Sequence, residues 1–136
     1  MARAAISDRD DVALVVATDD EDIAAHAREA GCPAVMTDSA LATGSGRALA
    51  AALSFAEGPR FVVNLQGDSP FQPEGALGAV LAALESGAEV ATPVIALDWE
   101  SLDALREHKL LSPFSGTTCV RAPDGRALWF SKAILP

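Results

Sequence analysis

The sequence predicts an α/β domain with a mostly parallel sheet and an antiparallel hairpin late in the chain. Continuous apolar runs, which suit buried parallel strands, alternate with segments of helical periodicity. Two of these runs end abruptly in polar clusters, at residues 18–21 and 66–68. A strong turn signal, Pro123-Asp124-Gly125, separates two β-rich segments. The length of 136 residues fits one domain, spanning residues 1–136.

Each element follows from a local signal. The strand at residues 12–17 leads into a helix, where Thr18 and Glu21 have capping-box spacing and Gly31 marks the end. The later helix opened by Pro73 carries an apolar stripe at helical spacing. The other predicted elements are the end of a helix at 1–7, strands at 34–36, 61–65, 89–96, 117–121 and 127–130, a helix carrying Leu49, Leu53 and Ala56, and a helix at 99–108.

The composition argues against several classes of partner. The net charge of −9, from 10 Lys and Arg against 19 Asp and Glu, disfavours nucleic acid, which requires a basic face. No apolar run approaches the length of a membrane span, and no secretory signal is visible. Cys32 and Cys119 match no metal spacing. We therefore expect a cytoplasmic protein with two ordinary thiols and neither nucleic acid nor membrane as a partner.

The segment around residues 61–68 is the first candidate ligand site. Its apolar run reads as a buried strand that stops at Gln66-Gly67-Asp68. Ligands of open α/β sheets lie beyond the carboxyl ends of the strands, so an amide and a carboxylate are expected beside a ligand. In the alternative interpretation, Asp68 only caps backbone amides in a strand-to-helix turn.

A second candidate is the loop at residues 37–47, which is rich in hydroxyls and glycines and ends in Arg47. Such a loop before a helix offers exposed amides to an anion or to ribose hydroxyls. It is not a P-loop, because it lacks the Gly-Lys-Ser/Thr ending. An ordinary connection remains the alternative. The residues alone thus predict a ligand site beside Gln66, Asp68 and residues 43–47.

Four segments, at residues 16–21, 43–47, 64–70 and 127–136, together resemble the 3-deoxy-manno-octulosonate (KDO) cytidylyltransferases, or CMP-KDO synthetases. The resemblance implies a three-layer, mostly parallel sheet of the nucleotide-diphospho-sugar transferase type. It also implies an enzyme that joins CTP and KDO to give CMP-KDO and pyrophosphate for lipopolysaccharide biosynthesis. A homodimer and Mg²⁺ as the cofactor are expected with it.

The resemblance also assigns roles to particular residues. It makes Asp68 a catalytic residue and the metal ligand, and Gln66 a catalytic and nucleotide-binding residue. Mg²⁺ suits such a site because it binds few carboxylates together with substrate phosphates. Lys132 is placed at the sugar acid, where the family usually has arginine; lysine keeps the charge but loses the bidentate fork. The other nucleotide-binding residues implied are Thr43, Gly44, Ser45 and Arg47.

The sequence also departs from the family pattern. Nothing matches the basic loop that grips the triphosphate, and the family continues past residue 136. Gly46 replaces an acid, and residues 112–118 replace a segment that usually carries a lysine. We therefore expect a chain incomplete at both ends, with impaired activity. The open alternatives are an acylneuraminate or amino-KDO cytidylyltransferase and a non-catalytic remnant that acts as a binding module.

Overall fold

The structure is a computed structural model that describes residues 9–68 and 72–135. It separates into two compact units, the first ending at Ala91 and the second beginning at Thr92. Together they form a mixed α/β protein with a small parallel sheet in the first unit and an antiparallel hairpin in the second. The expected helix at residues 1–7 lies outside the described residues.

The first unit is organised around a pair of parallel strands. Strand β1 (Val16–Thr18) pairs with β2 (Ala34–Met36), and helix α1 (Glu21–Glu29) connects them. The helix buries Ala24 and Ala27, which lie three residues apart and therefore on one face. The predicted β-α-β order is confirmed here, although the first strand is shorter than the expected 12–17.

Helix α1 is capped by Asp20 rather than by Thr18. The Asp20 carboxylate accepts hydrogen bonds from the amides of Asp22 and Ile23, at 2.9 and 3.0 Å. The predicted capping box is wrong because Thr18 belongs to β1, where its carbonyl accepts from the Thr37 amide. The predicted end of the helix is confirmed, since Gly31 has a φ of +73°.

Two further helices belong to the first unit, α2 (Gly44–Leu53) and α3 (Ala76–Glu85). The apolar stripe of α3 buries Leu81 and Leu84 as predicted. The helix begins at Ala76 and not at Pro73, because the left-handed Gly75, with a φ of +79°, forms the turn before it.

Two predicted strands, at residues 61–65 and 89–96, are not formed in the part of the chain that the structure describes. An apolar run becomes a strand only beside a partner that completes the hydrogen-bond ladder, and no described segment pairs with either run. Pro93 also removes a donor from the second run. The side chains of Val62 and Leu65 are exposed, not buried. The three-layer sheet is therefore not confirmed.

The second unit contains helix α4 (Trp99–Leu111) and a hairpin of strands β3 (Thr118–Arg121) and β4 (Ala127–Ser131). The helix extends three residues beyond its predicted end at 108. The predicted hairpin is confirmed, with a bulge between Val120 and Arg121.

Candidate nucleotide site

The carboxyl ends of β1 and β2 lie at the same edge of the sheet because the strands are parallel. Asp19 follows β1 directly, and Thr37 follows β2. Helix α2 packs against β1, and its first turn carries Arg47. This edge is where open α/β sheets bind their ligands.

Arg47 joins the three elements at this edge. Its Nη2 lies 3.1 Å from Asp19 Oδ2, and its Nη1 donates to Thr37 Oγ1 at 2.5 Å. The guanidinium also donates to the carbonyls of Asp38, at 3.5 Å, and Leu41, at 3.4 Å. Only 18% of the Arg47 side chain is exposed. Contact of Arg47 with a nucleotide stays a prediction, and the structure shows its guanidinium held by protein groups.

The two candidate segments come together at the beginning of α2. A Cβ atom at Gly44 would lie 3.5 Å from Gln66 Nε2 and 3.7 Å from Asn64 Nδ2. Asn64 Nδ2 also donates to Ser45 Oγ at 3.4 Å. Both side-chain amides thus lie within ordinary contact distance of the backbone at position 44.

Asn64 is a candidate site residue that the sequence analysis did not single out. In an extended segment, residues two apart point to the same side, so Asn64 and Gln66 form a pair. That spacing was visible in the sequence and is the signal that could have identified Asn64.

The first turn of α2 is suited to an anion or to hydroxyls. Thr43 is the N-cap, and its Oγ1 accepts from the Gly46 amide at 3.1 Å. The amides at the beginning of a helix carry partial positive charge and point outward along the axis. Thr43, Gly44 and Ser45 are exposed, so a ligand has access to them.

Asp68 lies exposed in the turn that follows Gln66. Among the described residues, no group of three or more His, Cys, Asp or Glu side chains could hold a metal ion. A lone accessible carboxylate nevertheless fits Mg²⁺, which takes most of its other ligands from water and phosphates. The metal role of Asp68 stays a prediction.

Lys132 belongs to the second unit and is also exposed. Its Nζ donates to Thr117 Oγ1 at 2.8 Å. Its carbonyl accepts from Lys109 Nζ, which also donates to the carbonyls of Ser115 and Gly116. Lys109 was not predicted to hold chain segments together, since lysine side chains are mostly exposed.

A parallel strand pair with a helix N-terminus and two amides near its carboxyl edge defines an α/β protein suited to a ligand rich in phosphate and hydroxyl groups. The family model for cytidylyltransferases matches residues 2–136. The chain therefore belongs to the cytidylyltransferase family, as the resemblance in the sequence indicated.

The chain is similar to several proteins named 3-deoxy-manno-octulosonate cytidylyltransferase. It is 38% identical to the one from Maricaulis maris over 90% of this chain and 48% of that protein. It is 40% identical to one from Anaeromyxobacter dehalogenans over 90% of this chain and 47% of that protein. It is 35% identical to the one from Chlamydia pneumoniae over 90% of this chain and 46% of that protein. The chain thus spans about half the length of the curated relatives it matches. No solved structure matches it.

The described helices include none that is both long enough and apolar enough to cross a membrane.

Proposed function

We propose that this chain carries nucleotide- and sugar-binding groups of an enzyme that joins CTP and KDO to give CMP-KDO and pyrophosphate. The observation that carries this proposal is the position of the Asn64 and Gln66 amides against Gly44 and Ser45. Two segments that are separate in the sequence thereby form one surface at the beginning of α2. Similarity to proteins named for this activity supports the choice of substrates.

In this reaction, the anomeric hydroxyl of KDO attacks the α-phosphorus of CTP. A new O–P bond forms, the bond between the α-phosphorus and the oxygen of the β-phosphoryl group breaks so that pyrophosphate leaves, and the hydroxyl proton passes to water. Because no covalent enzyme intermediate is needed, the protein acts by positioning and by stabilising charge.

The residues at the beginning of α2 contribute to CTP binding. The amides of Gly44 and Ser45 and the Ser45 hydroxyl donate to phosphate or ribose oxygens. The amide of Gln66 fixes the nucleotide against this surface, since it offers both a donor and an acceptor. Asp68 would hold Mg²⁺, which when bound neutralises charge on the phosphates.

Lys132 binds the carboxylate of the sugar acid. Its ammonium is exposed and donates to a hydroxyl, so an incoming carboxylate gains a charged partner without first displacing an acidic side chain. As a compact point charge it fixes the carboxylate less sharply than arginine.

Calorimetric titration of CTP into the full chain, with and without Mg²⁺, tests this proposal. Asp68→Asn is expected to weaken the Mg²⁺-dependent affinity by about tenfold, the effect of losing roughly 1.4 kcal/mol. Asp10→Asn is the matched control, because Asp10 is also an exposed aspartate in a turn. Equal affinities in the wild type, Asp68→Asn and Asp10→Asn would contradict the role of Asp68. A wild-type chain with no affinity for CTP would contradict the proposed function.

Turnover is measured separately, as pyrophosphate release from CTP with KDO as acceptor. Acylneuraminate and amino-KDO are offered as competing acceptors in the same assay. KDO is expected to compete best, and a preference for either other acceptor would reassign the sugar acid.

We also propose that the chain forms a homodimer in the cytoplasm. Strand β4 exposes three large apolar side chains, which favours association; they are Leu128, Trp129 and Phe130. Sedimentation velocity is expected to show a dimer at micromolar concentration, and a monomer throughout would refute it.

A further inference from the structure

We propose that Asp19, Arg47 and Thr37 form a clamp that holds the beginning of α2 in place for the nucleotide. In this assignment Asp19 and Arg47 are positioning residues, and Arg47 does not contact the ligand. The effect of the clamp on CTP affinity depends on the proposed function, whereas the clamp itself can be tested without a ligand.

The clamp joins the first turn of α2 to the ends of both strands of the parallel pair. Asp19 follows β1, Thr37 follows β2, and Arg47 lies in the first turn of α2. The Arg47 guanidinium lies 3.1 Å from the Asp19 carboxylate and donates to the Thr37 hydroxyl at 2.5 Å. Movement of the α2 first turn relative to the sheet therefore requires these bonds to break.

The exposed ion pair on α1 provides an internal comparison. Arg28 lies 3.1 Å from Glu21, the same separation as Arg47 from Asp19. The Arg28 side chain is 47% exposed, whereas that of Arg47 is 18% exposed. The pair at the sheet edge is screened less by water and has additional hydrogen bonds, so it holds its geometry more firmly.

The charges at this edge also argue against direct contact with phosphate. Asp19 offsets the charge of Arg47, which reduces the attraction that the guanidinium can offer to an anion. A phosphate that took Arg47 for itself would leave the Asp19 carboxylate unpaired beside it, and like charges repel. Positioning avoids this cost because the ion pair stays intact when the nucleotide binds.

The two roles of Arg47 predict opposite effects for Asp19→Ala. If Arg47 positions α2, removal of Asp19 loosens the turn and weakens CTP binding, by about tenfold for the loss of a charge-assisted hydrogen bond. If Arg47 binds phosphate, removal of Asp19 frees the guanidinium and tightens binding.

Arg47→Gln is expected to weaken CTP binding as Asp19→Ala does, and Arg28→Gln, the matched control, to leave it unchanged. Tighter CTP binding by Asp19→Ala would overturn the positioning role. Circular dichroism at the titration temperature verifies that each variant is folded.

Amide hydrogen exchange of the full chain without ligand tests the clamp independently. The amides of Gly46 and Arg47, which bond to Thr43, are expected to exchange about tenfold faster in Asp19→Ala and Arg47→Gln than in Arg28→Gln. If the other variants fail to fold, Thr37→Val is measured in their place. It removes one hydrogen bond, so a smaller increase in the exchange rate is expected. Unchanged exchange in these variants overturns the clamp, even if the wild type binds CTP. If the wild type binds no CTP, the proposed function fails and exchange alone decides on the clamp.

Discussion

In each of the two units of this protein, a cation joins several chain segments, but with different partners. In the first unit, Arg47 bonds to a carboxylate, a hydroxyl and two carbonyls at the edge of a sheet. In the second unit, Lys109 bonds to three carbonyls, those of Ser115, Gly116 and Lys132. Arg47 fixes a helix against strands, whereas Lys109 fixes a loop and the segment that follows a hairpin.

The comparison also shows that predicted substrate-binding cations can lie in different surroundings. Both Arg47 and Lys132 were predicted to bind substrate groups. Arg47 is mostly buried and paired with Asp19, while Lys132 is exposed and donates to the Thr117 hydroxyl. Of the two side chains, that of Lys132 is therefore the more accessible to solvent.

The largest expected effect is that of Lys109→Met in the second unit. It leaves three carbonyls without their shared donor, and a hydrogen bond to a charged group contributes about 1.5–3 kcal/mol, so we expect a loss of about 2 kcal/mol. Both tryptophans, Trp99 and Trp129, belong to this unit, so urea unfolding followed by tryptophan fluorescence measures the loss.

Arg106→Gln is the control for this measurement. Arg106 lies on the same helix but pairs with Asp103 in an exposed (i, i+3) ion pair, which contributes at most about 1 kcal/mol. Equal losses of unfolding free energy in the two variants would show that the hydrogen bonds of Lys109 contribute no more than an exposed ion pair.

The next effect is expected at the N-cap of α2 in the first unit. Thr43→Ala removes the oxygen that accepts from the Gly46 amide and should cost about 1 kcal/mol. Ser39→Ala, which removes a hydroxyl from an exposed turn, is the control. Urea unfolding followed by circular dichroism measures both, and indistinguishable transitions would mean that the cap contributes nothing.

A smaller effect depends on pH and concerns the N-cap of α4. Hydrogen bonds from the Ser101 side chain and backbone amide lower the pKa of Asp98 below its ordinary value of 3.8. Because the folded pKa is lower than the unfolded one, the stabilisation is complete above the unfolded pKa and is lost as the pH falls through the folded pKa.

The difference in thermal midpoint between the wild type and Asp98→Ala should therefore shrink between pH 6 and pH 2.5. Glu100→Gln is the control for other effects of low pH, because Glu100 lies in the first turn of the same helix but does not form the cap hydrogen bond. A difference that stays constant with pH would disprove a charged cap.

The smallest effect on stability is expected for Lys132→Met. The side chain is exposed and its ammonium bonds to one hydroxyl, so the change should be within about 0.5 kcal/mol. A fluorescence-detected loss equal to that of Lys109→Met would mean that Lys132 holds the unit together and is not available to a ligand.

Local signals predicted the elements whose geometry depends on neighbours in sequence. The β-α-β order around Gly31 and the turn at Gly125 are examples, since positive φ at a glycine ends a helix or closes a hairpin. The run at 61–65 was predicted as a strand and is not one, because a strand depends on a partner distant in the sequence. The proximity of residues 43–47 to Gln66, in contrast, is seen in the structure, although it was predicted from two loops at one sheet edge.

The partners of Arg47 were not predictable in the same way. Asp19 lies 28 positions away in the chain, and nothing in the local pattern of either residue indicates the pairing. Asp19 instead read as part of an acidic helix start, which is where acidic residues are common.

Gly46 makes the beginning of α2 sensitive to substitution. A Cβ atom at position 46 would lie 3.1 Å from Thr43 Oγ1, so the threonine would have to shift by a few tenths of an ångström. Because the same oxygen accepts from the Gly46 amide, that shift would alter the hydrogen bond that caps the helix. A side chain introduced at position 46 would thus be felt first in the fraying of the α2 first turn.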